Sequence, residues 1–199
     1  MKIKKVDDLL DRCVIKSIMH KNIKILLSCS ILIHGGINLL APIYAIFIKN
    51  IGGTLIEASG TIGAYAILKG ILYFLFRKQD TSHLSRKLMI ASGYFLFALG
   101  YVGYIFATNI IHVFAIQALL AFAEVIINPS WSAVIANALT KGKERGIYSD
   151  FYGYRSIFEG LAAISGGFLA MYLGFNSLFI LMAIFAFIAS LLSLSLSKD

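Results

Sequence analysis

From Ile23 to Leu196 the sequence is a succession of apolar stretches separated by short polar breaks. Each stretch is close to the roughly 20 residues an α-helix needs to cross a hydrocarbon core of about 30 Å. That pattern leaves little choice of fold. Hydrocarbon offers no partner for a peptide N–H or C=O, so a spanning segment must satisfy its backbone within itself, and a stretch of this length does so as a helix. The hydrophobic share of 59% and mean hydropathy of +0.82 agree, because soluble domains run at about 45–50% apolar residues. The expected fold class is an all-α integral membrane protein, a bundle of six transmembrane helices over 23–199 preceded by a cytoplasmic amphipathic arm over 1–22. The spans are placed at about 23–48, 56–76, 88–107, 110–139, 147–173 and 178–196.

The net charge of +8 follows topology. Lysines and arginines collect before the first span (Lys2, Lys4, Lys5, Arg12, Lys16, Lys21), between spans two and three (Arg77, Lys78, Arg86, Lys87) and between four and five (Lys141, Lys143, Arg145), and Lys198 follows the last span. The other connections hold only Lys49. Positive charge stays on the cytoplasmic side of a membrane, so both termini are expected inside a multi-pass protein of the plasma membrane. On the arm, Ile3, Val6, Leu10, Cys13 and Val14 share a side of a helix, which suits a basic amphipathic segment lying on an anionic lipid surface. No cation sits on a groove-reading element, so nucleic acid is not an expected partner.

Cys13 and Cys29 form no disulfide framework. The sequence has no Walker loop, zinc-spaced cysteines, His-Glu-x-x-His or Gly-x-Ser-x-Gly, so neither a cofactor nor an enzymatic activity is expected. Pro42 and Pro129 lie within spans, where each removes a backbone donor and bends the helix. Glycines recur inside the spans, chiefly as small residues that let neighbouring helices approach closely.

Function is carried by the polar residues left inside the spans. Gln117, Glu124, Asn128 and Ser132 are separated by seven, four and four residues, and Tyr148, Tyr152, Arg155 and Glu159 by four, three and four. Both spacings stack side chains along one face of a helix. Ionisable groups at this depth are costly unless they face a partner or a wet cavity. Lys69, Glu124, Arg155 and Glu159 are balanced in sign, so they can pair. Arg155 and Glu159, four residues apart, can touch on one helix and read either as a structural pair or as part of a pathway.

Glu124 has no partner at helical spacing in its own span and must be met across the bundle by Lys69, Arg155 or His34, or be protonated. A carboxyl shielded from water takes up and releases a proton as its surroundings dry or wet, which proton-coupled transport requires. His34, with Asn38 four residues on, is either a proton relay or a neutral side chain bonded to a neighbouring helix. Lys69 can alternatively extend to the inner interface. Tyr65 and Tyr152 are candidate pocket residues, and Trp131 is either a substrate-facing ring or a packing wedge beside Pro129.

The order of these features resembles the amino-terminal half of a major facilitator superfamily transporter. The resemblance rests on six spans, the basic loop ending Ser85-Arg86-Lys87-Leu88, the run Asn128-Pro129-Ser130-Trp131-Ser132-Ala133, Lys143-Glu144-Arg145-Gly146, and the glycine-rich Gly160 to Gly167. It implies that Arg86 and Lys87 match the basic end of the family's loop motif, with Asp80 a displaced acidic member. Ser82 and Ser85 depart from that motif. Ala162-Ala163 stands where an antiporter's Gly-Pro is expected, so antiport is not supported.

Family members pair two such bundles, which implies that this one homodimerises or joins a separate second half. The expected function is half-size secondary transport of a small solute, with or without protons, by alternating access. The pathway residues are Glu124, Arg155, Glu159, His34, Asn128, Asn38, Gln117, Lys69 and Tyr152. The alternatives are a non-transporting membrane scaffold or interaction subunit, and a truncated half of a longer transporter.

Overall fold

A computed structural model describes the backbone of residues 2–77, 85–138 and 144–196, and the side chains of 21–77, 85–137 and 145–196. Among the described residues six α-helices follow one another: α1 (Lys2–Leu40), α2 (Tyr44–Asn50), α3 (Leu55–Phe76), α4 (Arg86–Ile105), α5 (Ile110–Ala138) and α6 (Glu144–Ser193). Among the described residues five helical segments are long and apolar enough to cross a membrane: Lys21–Asn50, Leu55–Phe76, Arg86–Ile105, Ile110–Asn137 and Arg145–Ser193.

Local chemistry explains the breaks. Pro42 lacks the N–H that would continue α1, and a short 3-10 turn over Ala41–Ile43 joins it to α2. Pro129, by contrast, is accommodated inside the continuous α5. Thr54 caps α3 reciprocally: its hydroxyl accepts from the Glu57 N–H while the Glu57 carboxylate accepts from the Thr54 N–H.

The last segment is the long one. At about 1.5 Å per residue a straight helix over α6 would far exceed a bilayer, but Gly174 has φ 79° and ψ 166°, outside the helical region. The chain doubles back there. Gly166, before the break, meets the Leu39 carbonyl, and Met182, after it, meets Gly36. Further along α1 toward its amino end, His34 meets Glu159 and Cys29 donates its Sγ–H to the carbonyl of Ala189 at 3.4 Å. The arms 144–173 and 175–193 therefore run in opposite directions along α1.

Phe47 packs against Tyr104, Phe175 and Phe179, with ring centroids 5.7, 5.5 and 4.9 Å away. Those contacts gather the ends of α2 and α4 and the Gly174 break at one end of the molecule. At the other end Trp131 packs on Phe151 and Ser130 bonds the Met89 sulfur. The three sparsely charged connections thus share one end and the basic residues Arg77, Arg86, Lys87 and Arg145 the other.

The core lies between α1, α4, α5 and 175–193, where Leu26, Ile90, Tyr101, Val113, Leu178 and Phe179 are fully buried. Close approach there depends on small residues. A Cβ on Gly93 or Gly100 would run into Ile127 or Leu120, and one on Gly166 into the backbone of Leu39, whereas Gly35, Gly63 and Gly167 meet open space. The outward faces of α3 and of 144–173 are apolar and exposed, as at Ile56, Phe74, Ile164 and Met171. Such faces suit lipid rather than water.

Candidate functional site

The α3 sequence sets Thr61, Tyr65, Lys69 and Tyr73 at four-residue steps, a polar ridge on an otherwise apolar helix. That ridge faces Gln117, Glu124 and Asn128 of α5. The Glu124 carboxylate accepts from Lys69 Nζ at 3.2 Å, from Asn128 Nδ2 at 3.1 Å and from the Tyr65 hydroxyl. Lys69 Nζ also stands 4.8 Å from the centre of the Tyr65 ring, and Asn128 Nδ2 donates to the Tyr73 hydroxyl at 2.6 Å. A carboxylate with an ammonium, a phenol and an amide around it is well compensated for leaving water.

A second group joins α1 to α6. Glu159 Oε1 lies 2.9 Å from Arg155 Nε and 3.5 Å from His34 Nδ1. Arg155 Nε is buried and the Arg155–Glu159 contact is ionic, without a well-aligned N–H···O bond. The guanidinium lies 5.1 Å above the Tyr152 ring, a cation–π distance. Tyr152 in turn stacks on Tyr148.

Both groups border one cavity of about 260 Å³, lined by His34, Glu124, Asn128, Trp131, Tyr152 and Arg155 among apolar neighbours. Glu124 and Arg155 thus present opposite charges to a common space. Each is backed by a counter-charge that does not line it, Lys69 and Glu159 respectively. A small polar solute or a file of water would meet both signs at once.

Residues 26–199 match the family model described as the Major Facilitator Superfamily. The chain belongs to that superfamily. It is similar to the Uncharacterized MFS-type transporter YitZ of Bacillus subtilis (strain 168), 23% identical over 156 residues that cover 78% of this chain and 94% of that protein. It is also similar to Sodium/hydrogen exchanger 8 of Rattus norvegicus, 32% identical over 129 residues, or 64% of this chain, but spans only 22% of the exchanger. This superfamily chain is a multi-pass membrane protein of the transporter class.

Against the sequence-based candidates, the superfamily chain brings Glu124, Asn128, His34, Tyr152 and Arg155 to one cavity, with Lys69 and Glu159 directly behind. Lys69 is engaged by Glu124 rather than reaching for the interface. Asn38 turns back, donating to the His34 carbonyl at 2.9 Å, and lines neither this cavity nor the one described next. Trp131 lines the cavity and packs on Phe151, with ring centroids 5.4 Å apart. Arg86 and Lys87 open α4 and do not line the cavity, and Asp80 lies outside the described residues.

Gln117 belongs to a second cavity, also of about 260 Å³, between α1, α3, α4 and α5. It shares Ile37 and Phe97 with the first. Tyr73, Thr61 and Tyr44 were missed as polar partners. The four-residue ladder from Thr61 to Tyr73 was the available signal for two of them, and Tyr44 needed the tertiary fold.

Proposed function

We propose that this chain is a half-size secondary transporter whose described helices cross the membrane six times, with both termini cytoplasmic in the plasma membrane. It moves a small solute by alternating access after pairing with a second copy or a separate six-span half. The reversal at Gly174 supports two crossings within α6, and the gathering of basic residues at one end supports the orientation. The similar Bacillus protein supports a half-size unit, since 156 matched residues make up 94% of it.

One observation carries the transport role: Glu124 and Arg155 border a common cavity within the spans while Lys69 and Glu159 compensate them from behind. A static bundle gains nothing from turning charges toward a void. In a carrier, the Lys69–Glu124 contact gives Glu124 two states, ionised and paired or protonated and released, and alternation between them can be coupled to solute.

The test is flux in proteoliposomes loaded with a pH-sensitive dye and challenged with a panel of small neutral and charged solutes. Glu124→Gln keeps the shape and one acceptor oxygen, turns an NH2 toward groups that donate to the carboxylate, and cannot exchange a proton. It is expected to lower solute-coupled proton movement at least tenfold, and wild-type flux in this variant would remove Glu124 from the mechanism.

A further inference from the structure

The second cavity has a different chemistry from the first. Its walls are Tyr44, Tyr65, Phe97, Tyr101, Tyr104 and Gln117 with aliphatic neighbours, and among the described residues no Asp, Glu, Lys, Arg or His lines it. An apolar cavity of about 150 Å³ is enough to hold benzene. One of about 260 Å³ has room for a ring carrying a small polar substituent.

The polar end of that space is set by a chain of hydrogen bonds with one direction. The single hydroxyl proton of Thr61 goes to the Ala58 carbonyl at 2.8 Å, so Thr61 Oγ1 can only accept from Tyr44, 2.7 Å away. The Tyr44 proton is then spent, and its oxygen can only accept, from Gln117 Nε2 at 3.2 Å and from the neighbouring Tyr104 hydroxyl. This fixes which way the Gln117 amide is turned. Its second N–H and its carbonyl oxygen have no partner among the described residues, and Gln117 lines the cavity. A free donor and acceptor side by side match the N–H and C=O of another amide.

We propose that this cavity binds a small uncharged aromatic molecule bearing a carboxamide or similar donor–acceptor pair. Its ring lies among Tyr44, Phe97, Tyr101 and Tyr104, and its polar group pairs with Gln117. The site is separate from the charged cavity, across the shared Ile37 and Phe97. Calling the occupant a transported solute rests on the proposed function, whereas its binding does not.

Equilibrium binding of radiolabelled benzamide to the full chain in lipid nanodiscs tests the site without any flux. Saturable binding is expected. Unlabelled acetophenone should compete weakly, and benzoate, of the same size but charged, not at all. Gln117→Leu should weaken benzamide about tenfold while leaving ethylbenzene competition unchanged. Thr61 is not itself a lining residue, and Thr61→Val frees the proton of Tyr44, which is, so the Gln117 amide is expected to turn over and the preference for benzamide over acetophenone to fall. Thermal unfolding of each variant separates these effects from misfolding. No saturable binding, equal competition by benzoate, or unchanged benzamide affinity in a folded Gln117→Leu protein would overturn the proposal. Binding that persists while flux fails in Glu124→Gln would leave the site standing.

Discussion

Lys69 and Glu124 illustrate how a buried pair is judged by what happens when one member is removed. Replacing Lys69 by Met leaves Glu124 with only neutral partners, and breaking such a pair typically costs about 3–5 kcal/mol. At this half-buried site about a third of that is expected, because water screens it. Lys69→Met with Glu124→Gln should recover most of the loss, as unfolding midpoints in detergent would register. Additive losses would mean that the two charges do not depend on each other. The sequence disclosed that Glu124 needed either a cation from another helix or a proton. Lys69, Arg155 and His34 were equally eligible until the packing of α3 on α5 chose Lys69.

Helix crossings and breaks are decided by glycines whose importance one sequence ranks poorly. Gly166→Ala would drive its new methyl into the backbone of Leu39, which cannot swing aside, whereas Gly167→Ala next to it meets nothing. The first should lose about 1–3 kcal/mol, as overpacking does, and the second should be neutral within about 0.5 kcal/mol. Equal unfolding midpoints for the two variants would contradict the crossing described. At Gly174, φ 79° and ψ 166° belong to a region that is essentially glycine's alone. Gly174→Ala is expected to cost about 1–3 kcal/mol, read as lowered thermal stability. The break itself was legible as a polar interruption near Gly174-Phe175-Asn176-Ser177. Its sharpness was not, since a helical connection without a proline or a charge carries little local signal.

For the whole molecule, the proposed orientation predicts which surfaces a membrane-impermeant thiol reagent reaches in cells. In a background with Cys13 and Cys29 replaced by Ala, single cysteines at Gly52 and Asn109 should label from outside, and those at Lys87 and Arg145 only after permeabilisation. The reverse pattern would invert the topology. The exposed apolar faces of α3 and 144–173 remain for lipid or for a second bundle.

The sequence by itself determined the membrane environment, the helical class and the asymmetry of charge, because hydrocarbon length, backbone satisfaction and the cytoplasmic bias of cations act on each segment independently. It also determined which residues were expensive to bury. Only the tertiary structure decided that the charges border one cavity and the aromatic residues with Gln117 another. Those groupings depend on how helices distant in sequence cross, and the glycines and side-chain volumes that fix the crossings act jointly rather than one position at a time.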